Sequence, residues 1–200
     1  MVISQLRAPV TKMMQPVYRS LAKMGVHPNM LTIVGLGTGI VAGWAFATQE
    51  YLVAAILIFM SGVLDVLDGG VARVGNYASN EGAFLDSVAD RLGESAIYIG
   101  LVAGFSTLNE QLIALGMLVF SYSISYLRAR GEGLGVSLAG IGIMERAERM
   151  GSLFLAGILA HFFGAAVFVI TLSVILVLVF VTAIHRFVKV YDALRLTSAA

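Results

Sequence analysis

The stretch DVLDGGVARVGNYASNEGAFLDSVAD, residues 65–90, decides how the rest of the chain is read. It carries four aspartates, Asp65, Asp68, Asp86 and Asp90, and strongly apolar sequence lies on both sides of it. That setting predicts acids at or near the ends of buried helices. An ionised carboxylate in lipid or in a dry core is costly unless it is paired or ligates a metal. Four so close together call for a shared cation, because Arg73 and Arg91 offer only two positive partners. Asp65 and Asp68 are three residues apart, and Asp86 and Asp90 four apart. On helices each pair shares one face. Two such helices with the pairs facing form an oxygen-rich site suited to hard divalent cations. Gly69, Gly70, Ala72, Gly75 and Gly82 lie between the pairs and are small enough for helix backbones, or a ligand, to come close.

The surrounding composition fits a membrane. The 200 residues are 58% hydrophobic and 12% charged, with a mean hydropathy of +0.90. Soluble domains carry roughly 25% charged residues. The expected fold class is therefore an all-α integral membrane protein, with six transmembrane helices and an N-terminal interfacial amphipathic helix. The net charge of +1 says nothing about nucleic acid, and no basic run suggests it as a partner. There is no cysteine, so no disulfide framework exists. The N-terminus lacks the apolar core and small-residue cleavage site of a signal peptide.

Outward from the motif, residues 2–24 alternate Arg7, Lys12, Arg19 and Lys23 with Val2, Leu6, Val10, Met13, Val17, Leu21 and Met24. That spacing predicts an amphipathic helix in the membrane interface, bent near Pro16. Spanning helices are expected over about 31–48, 51–73, 81–105, 111–130, 144–163 and 165–185, near the ~20 residues needed to cross a bilayer. Residues 74–80 form a turn-rich linker and 131–143 a Gly-rich loop. One domain covers residues 1–200, with a juxtamembrane helix over 1–24 and a six-helix bundle over 31–188.

Charge sets the orientation. With six spans, all thirteen Lys and Arg fall on one side or near its helix ends, and the connections near Glu50, Glu110 and His161 contain none. The positive-inside rule then places both termini and the Asp cluster at the cytoplasmic face of the cell membrane.

The motif also carries a resemblance. Asp65, Asp68, Gly69, Ala72, Arg73, Gly82, Asp86 and Asp90 stand at the spacing of the signature of the CDP-alcohol phosphotransferases. The resemblance implies a transfer in which a small alcohol displaces CMP from a CDP-linked glycerolipid, either CDP-diacylglycerol or the ether-linked CDP-archaeol. Mg²⁺ or Mn²⁺, as two ions, is expected on Asp65, Asp68 and Asp86, with Asp90 as a further ligand. Divalent cations there would neutralise the pyrophosphate and the leaving phosphate. The resemblance makes Asp90 the base for the attacking hydroxyl. It gives the CDP-lipid site as Pro28, Asn29, Met30, Leu31, Thr32, Asp65, Asp68, Gly69, Ala72, Arg73, Ser79 and Gly82. Gly69 would let the nucleotide reach the backbone, and Arg73 could grip a phosphate with both arms. For Pro28, Asn29, Thr32 and Ser79, helix capping and turn formation stand as the alternative.

The acceptor has its own signature. SYLRAR (residues 125–130), with Arg128 and Arg130, and ERAER (145–149), with Arg146 and Arg149, precede Arg186 near the end of the last span. Together they resemble the inositol-phosphate branch of the same family. The resemblance implies a phosphate pocket of Arg128, Arg149 and Arg186, with Arg146 beside it. Several forked donors suit a dianion. Anchoring of helix ends at the membrane is the alternative. The expected partners are the CDP-linked glycerolipid, inositol phosphate and membrane lipids, and the family resemblance allows a homodimer. A sister enzyme using glycerol 3-phosphate, serine or another alcohol is the neighbouring alternative. A divalent-cation transporter is a remote one, because Gly69, Ala72 and Arg73 would be superfluous to it. His27, His161 and His185 are far apart in sequence and suggest no site.

Overall fold

Seven α-helices make up nearly all of the computed structural model, which describes the backbone of residues 2–138 and 140–198 and the side chains of residues 11–138 and 140–196. In chain order they are α1 (Val2–Lys23), α2 (Pro28–Ala47), α3 (Tyr51–Val74), α4 (Asn80–Gly104), α5 (Leu108–Gly133), α6 (Arg146–Phe163) and α7 (Ala165–Ser198). Local chemistry explains the boundaries. Pro28 opens α2, where its missing N–H costs nothing, and His27 Nδ1 accepts from the Asn29 amide at 3.3 Å. The Ser79 hydroxyl accepts from the Gly82 amide at 3.1 Å and starts α4. Thr107 and Glu110 cap α5 reciprocally. Gly164, at φ 88°, turns α6 into α7.

One expected boundary changes: the last helix, expected over 165–185, continues to Ser198. On α1 the apolar set and the side chain that packs on the bundle are different. Val2, Leu6 and Val10 lie outside the described side chains, while Met13, Val17 and Met24 are exposed. Tyr18 is buried instead, with its ring against Gly70 of α3, and Met14 reaches the wall of the central cavity. A tyrosine ring has more apolar area to bury than a valine, and Gly70 has no Cβ to block it. The helix also continues through Pro16.

Among the described residues, four helices are long and apolar enough to cross a membrane: α2, α3, α5 and α7, the last over Ala165–Leu196. The protein is multi-pass. In α4 and α6 charge interrupts the apolar run, with Asp86, Asp90, Arg91 and Glu94 in one and Arg146, Glu148 and Arg149 in the other. Ile33, Ile40, Trp44, Ile56, Phe59, Val119, Ile170 and Val177 are among the many large apolar side chains on the outer surface, as lipid contact demands. Phe168 packs on Phe46 and Tyr51 at ring distances of 5.4 and 5.0 Å.

α2 packs against both α3 and α4, and its seam with α4 is a row of small residues. A Cβ on Gly39 would lie 3.2 Å from the Gly93 Cα. One on Gly43 would strike the Ala96 carbonyl, and one on Gly100 would strike the Gly43 carbonyl. Backbones meet directly here, the arrangement small residues permit inside membranes. That contact fixes the gap across which the acids of α3 and α4 face each other.

Candidate active site

A cavity of about 400 Å³ lies among α2, α3, α4 and α6, with Met14 of α1 at one wall. Leu36, Ile58, Phe59 and Phe154 give it apolar sides, and Asp65, Asp68, Asp86, Asp90, Glu94 and Arg146 line the polar part. Carboxylate oxygens of Asp65, Asp86 and Asp90 all lie within 4.8 Å of one another. α3 supplies the first and consecutive turns of α4 the other two. Hard, like-charged oxygens at that spacing fit a divalent cation. The chain's own guanidinium supports the point: Arg146 donates from Nη1 to Asp65 Oδ1 at 3.1 Å and pairs through Nη2 with Asp90 Oδ1 at 2.9 Å.

Asp68 stands apart from this trio. It is 6% exposed and lines the same cavity, but its Oδ2 accepts from the Thr32 hydroxyl at 2.7 Å. Thr32 also donates to the Pro28 carbonyl at 3.2 Å, so the first turn of α2 is tied to the motif. Leu31 lines the cavity and Met30 is exposed. Asn29, Ser79 and Gly82 come together where α2 and α4 begin: a Cβ on Gly82 would lie 3.3 Å from Ser79 Oγ and 3.4 Å from Asn29 Oδ1. The side chain of Arg73 lies back over Gly69, its Nη1 3.4 Å from where a Cβ would be. Gly69, Ala72, Arg73, Ser79 and Gly82 are outside the cavity walls.

The arginines divide. Arg146 alone among them faces the cavity. Arg149, 1% exposed, donates from Nε and Nη2 to the two oxygens of Glu94 at 2.6 and 2.7 Å, and from Nη1 to the Met144 carbonyl at 3.0 Å. Arg186, 2% exposed, donates to the carbonyls of Ile141 and Ile124 at 2.7 and 3.0 Å and to Glu145 at 3.2 Å. It thereby fastens α5 and the 134–145 loop to α7. Arg128 is exposed and pairs with Glu132 at 3.0 Å, while Arg130 is exposed. Arg128 and Arg149 are near enough for their charges to act on Arg186. The expected convergence of Arg128, Arg149 and Arg186 on open space is thus replaced, for the two buried ones, by bonds to the protein.

Glu94 is a charged cavity residue that the motif reading misses. It lines the cavity, accepts from Nε and Nη2 of Arg149, and accepts from the Tyr98 hydroxyl at 3.1 Å, which in turn accepts from Ser121 Oγ at 3.2 Å. The sequence does carry a signal, since Asp86, Asp90 and Glu94 follow each other at intervals of four.

An acid-lined cavity with an apolar flank, sunk in an apolar helical bundle, marks a multi-pass membrane protein with a site suited to a divalent cation. The chain belongs to the CDP-alcohol phosphatidyltransferase family, whose model matches residues 25–184. It is 35% identical to an archaetidylinositol phosphate synthase of Pyrococcus horikoshii over 78% of this chain and 82% of the relative. A second archaetidylinositol phosphate synthase, from Methanothermobacter thermautotrophicus, is 36% identical over 96% of both chains. The crystal structure of Mycobacterium tuberculosis phosphatidylinositol phosphate synthase with CDP-DAG bound superposes with a TM-score of 0.80 at 26% identity, covering 90% of this chain and 94% of that one. The same enzyme in complex with manganese and citrate gives a TM-score of 0.80 and covers 88% of each chain.

Proposed function

We propose that the protein transfers the phosphatidyl or archaetidyl group of a CDP-linked glycerolipid to a hydroxyl of inositol phosphate, releasing CMP. The observation that carries this reading is the trio of Asp65, Asp86 and Asp90 oxygens within 4.8 Å, set beside an apolar cavity wall. The synthase names of the relatives support the acceptor. Asp65, Asp86 and Asp90, with Asp68 behind them, hold the divalent cations, which neutralise the pyrophosphate. Pro28–Thr32, Gly69, Ala72, Arg73, Ser79 and Gly82 form the nucleotide side, and Thr32 orients Asp68 for it. Asp90 takes the proton of the attacking hydroxyl. The new oxygen–phosphorus bond forms as the lipid phosphorus leaves the bridging oxygen, and that oxygen departs with CMP.

Arg146 and Arg128 meet the phosphate of the acceptor. Arg149 and Arg186 stand behind them, with three of their five N–H groups held by the protein. A single domain over residues 1–200 carries all of this. α4 and α6 complete six spans, their charged ends gathered at the cytoplasmic face of the cell membrane with both termini, and α1 lies in that interface. By family resemblance the reading extends to a homodimer.

The test is a kinetic comparison on purified protein with CDP-lipid and Mg²⁺. Arg128→Ala should raise the KM for inositol phosphate by about tenfold or more, since a charge-assisted bond contributes roughly 1.5–3 kcal/mol and ~1.4 kcal/mol is a decade. The KM for CDP-lipid should stay within twofold. Better turnover of the unmodified enzyme with glycerol 3-phosphate than with inositol phosphate would refute the acceptor assignment.

A further inference from the structure

Arg146 occupies an unusual position. It is the first residue of α6, and it reaches across to two acids on two other helices. Both acids belong to the trio whose oxygens suit a divalent cation. The side chain is 28% exposed and stands on the cavity wall, so it is reachable by ligands. Its fit is incomplete: Nε is buried and has no hydrogen-bond partner. An arginine built only as a strut would be expected to satisfy that donor, as Arg149 and Arg186 do with theirs. The residues before it form a loop in which Gly140 and Gly142 have positive φ, and the N-cap residue Glu145 makes no side-chain cap bond.

We infer that Arg146 is a built-in counter-cation, holding Asp65 and Asp90 together until a divalent ion displaces it, and that its release turns the guanidinium toward phosphate in the cavity. The inference rests on the metal reading of the acid trio. The physical argument is competition for the same oxygens. Asp65, Asp86 and Asp90 crowd like charges together, and in a low-dielectric bundle that crowding needs a positive partner. Arg146 supplies one charge through two oxygens. A divalent ion among those oxygens supplies two, and it repels the guanidinium beside it. The arginine side chain is long enough to leave by rotation about its own bonds. Once released it is an unpaired fork of donors at the edge of the cavity, the arrangement that binds phosphate oxygens. Metal loading and phosphate binding are therefore coupled, and the coupling is reciprocal: the metal frees Arg146 for phosphate, and phosphate on Arg146 leaves the acids to the metal.

The experiment measures Mn²⁺ binding to detergent-purified protein by electron paramagnetic resonance, with thermal unfolding followed in EDTA and in saturating Mn²⁺. Arg146→Gln removes the competing charge and should bind Mn²⁺ at least tenfold more tightly than the unmodified protein. It should also unfold at lower temperature in EDTA, where Asp65 and Asp90 lose their shared partner, and recover that loss in Mn²⁺. Arg146→Lys restores a positive charge and should bring the Mn²⁺ affinity back toward the starting value. Arg146→Gln protein that is folded but binds Mn²⁺ equally or more weakly overturns the inference. So does a loss of thermal stability that is the same with and without Mn²⁺, which marks a plain strut. Asp65→Asn separates the two levels: it should abolish Mn²⁺ binding, and if it does not, the metal reading itself falls and the inference with it.

Discussion

Replacing Glu94 with Gln tests whether the Glu94–Arg149 pair holds the bundle together. The change keeps volume and keeps an oxygen for the Tyr98 hydroxyl. It removes the negative charge and turns an NH₂ group toward the guanidinium, which makes bonds of 2.6 and 2.7 Å to the two carboxylate oxygens. Arg149 is 1% exposed, so its charge has no water to turn to. Breaking a buried pair by removing one partner costs about 3–5 kcal/mol. For a chain of this length, each kcal/mol moves the unfolding midpoint by roughly 2–4 °C, so the expected loss is about 6–20 °C. The assay is thermal unfolding in a fixed detergent, read by intrinsic fluorescence. Replacing Arg149 with Met in the same chain removes the stranded charge, and apolar substitution of both partners of a buried pair is often near neutral. The double variant Glu94→Gln/Arg149→Met should therefore recover most of the loss. A single-variant loss under about 2 °C, or a double variant at least as unstable as the two singles summed, would refute the reasoning.

Gly100→Ala puts a methyl where the Gly43 carbonyl stands, so α2 and α4 must separate, and a loss at or above the top of the usual overpacking range of about 1–3 kcal/mol should appear in the same thermal assay. Gly62→Ala, which meets open space, should be close to neutral and serves as its control. Asp90→Asn should lower turnover by about 10²–10⁴-fold while a CDP-lipid still binds, with equilibrium binding of the nucleotide as the check. Single cysteines in this cysteine-free chain report topology: one replacing Ser79 should label only from the cytoplasmic side and one replacing Asn109 only from outside.

Much of this architecture is visible in the sequence because membranes simplify the signals. Apolar runs bounded by His27-Pro28, Thr107 and Gly164 place the helices within a few residues, since caps and a left-handed glycine act locally. The Asp motif also reads directly, because four acids set in apolar sequence are too costly to keep there without a cation to share. What stays hidden depends on distant partners. Nothing local says that Arg149 meets Glu94, 55 positions away, or that Arg186 ends on the carbonyl of Ile124. From the sequence the two arginines therefore resemble open ligands, whereas in the fold they are largely occupied. Tyr18 is similar: its burial depends on Gly70, 52 positions on, lacking a side chain. The end of α7 is hidden for a different reason, since an apolar count stops at the last span while the helix itself has no breaker before Ser198.

The length of α7 has a mechanical consequence. Its 34 residues, at 1.5 Å each, extend about 51 Å, against roughly 30 Å for the apolar thickness of a bilayer. A helix that long could slide lengthwise to share its excess between the two sides. Arg186 prevents this, because its bonds to Ile124, Ile141 and Glu145 act as a pin through the shaft. If the span is the expected 165–185, the excess lies beyond Arg186 at the C-terminal end. Lys189, Asp192 and Arg195 ride on a stiff mast about four turns tall, and whatever is attached at its tip moves with the pinned bundle.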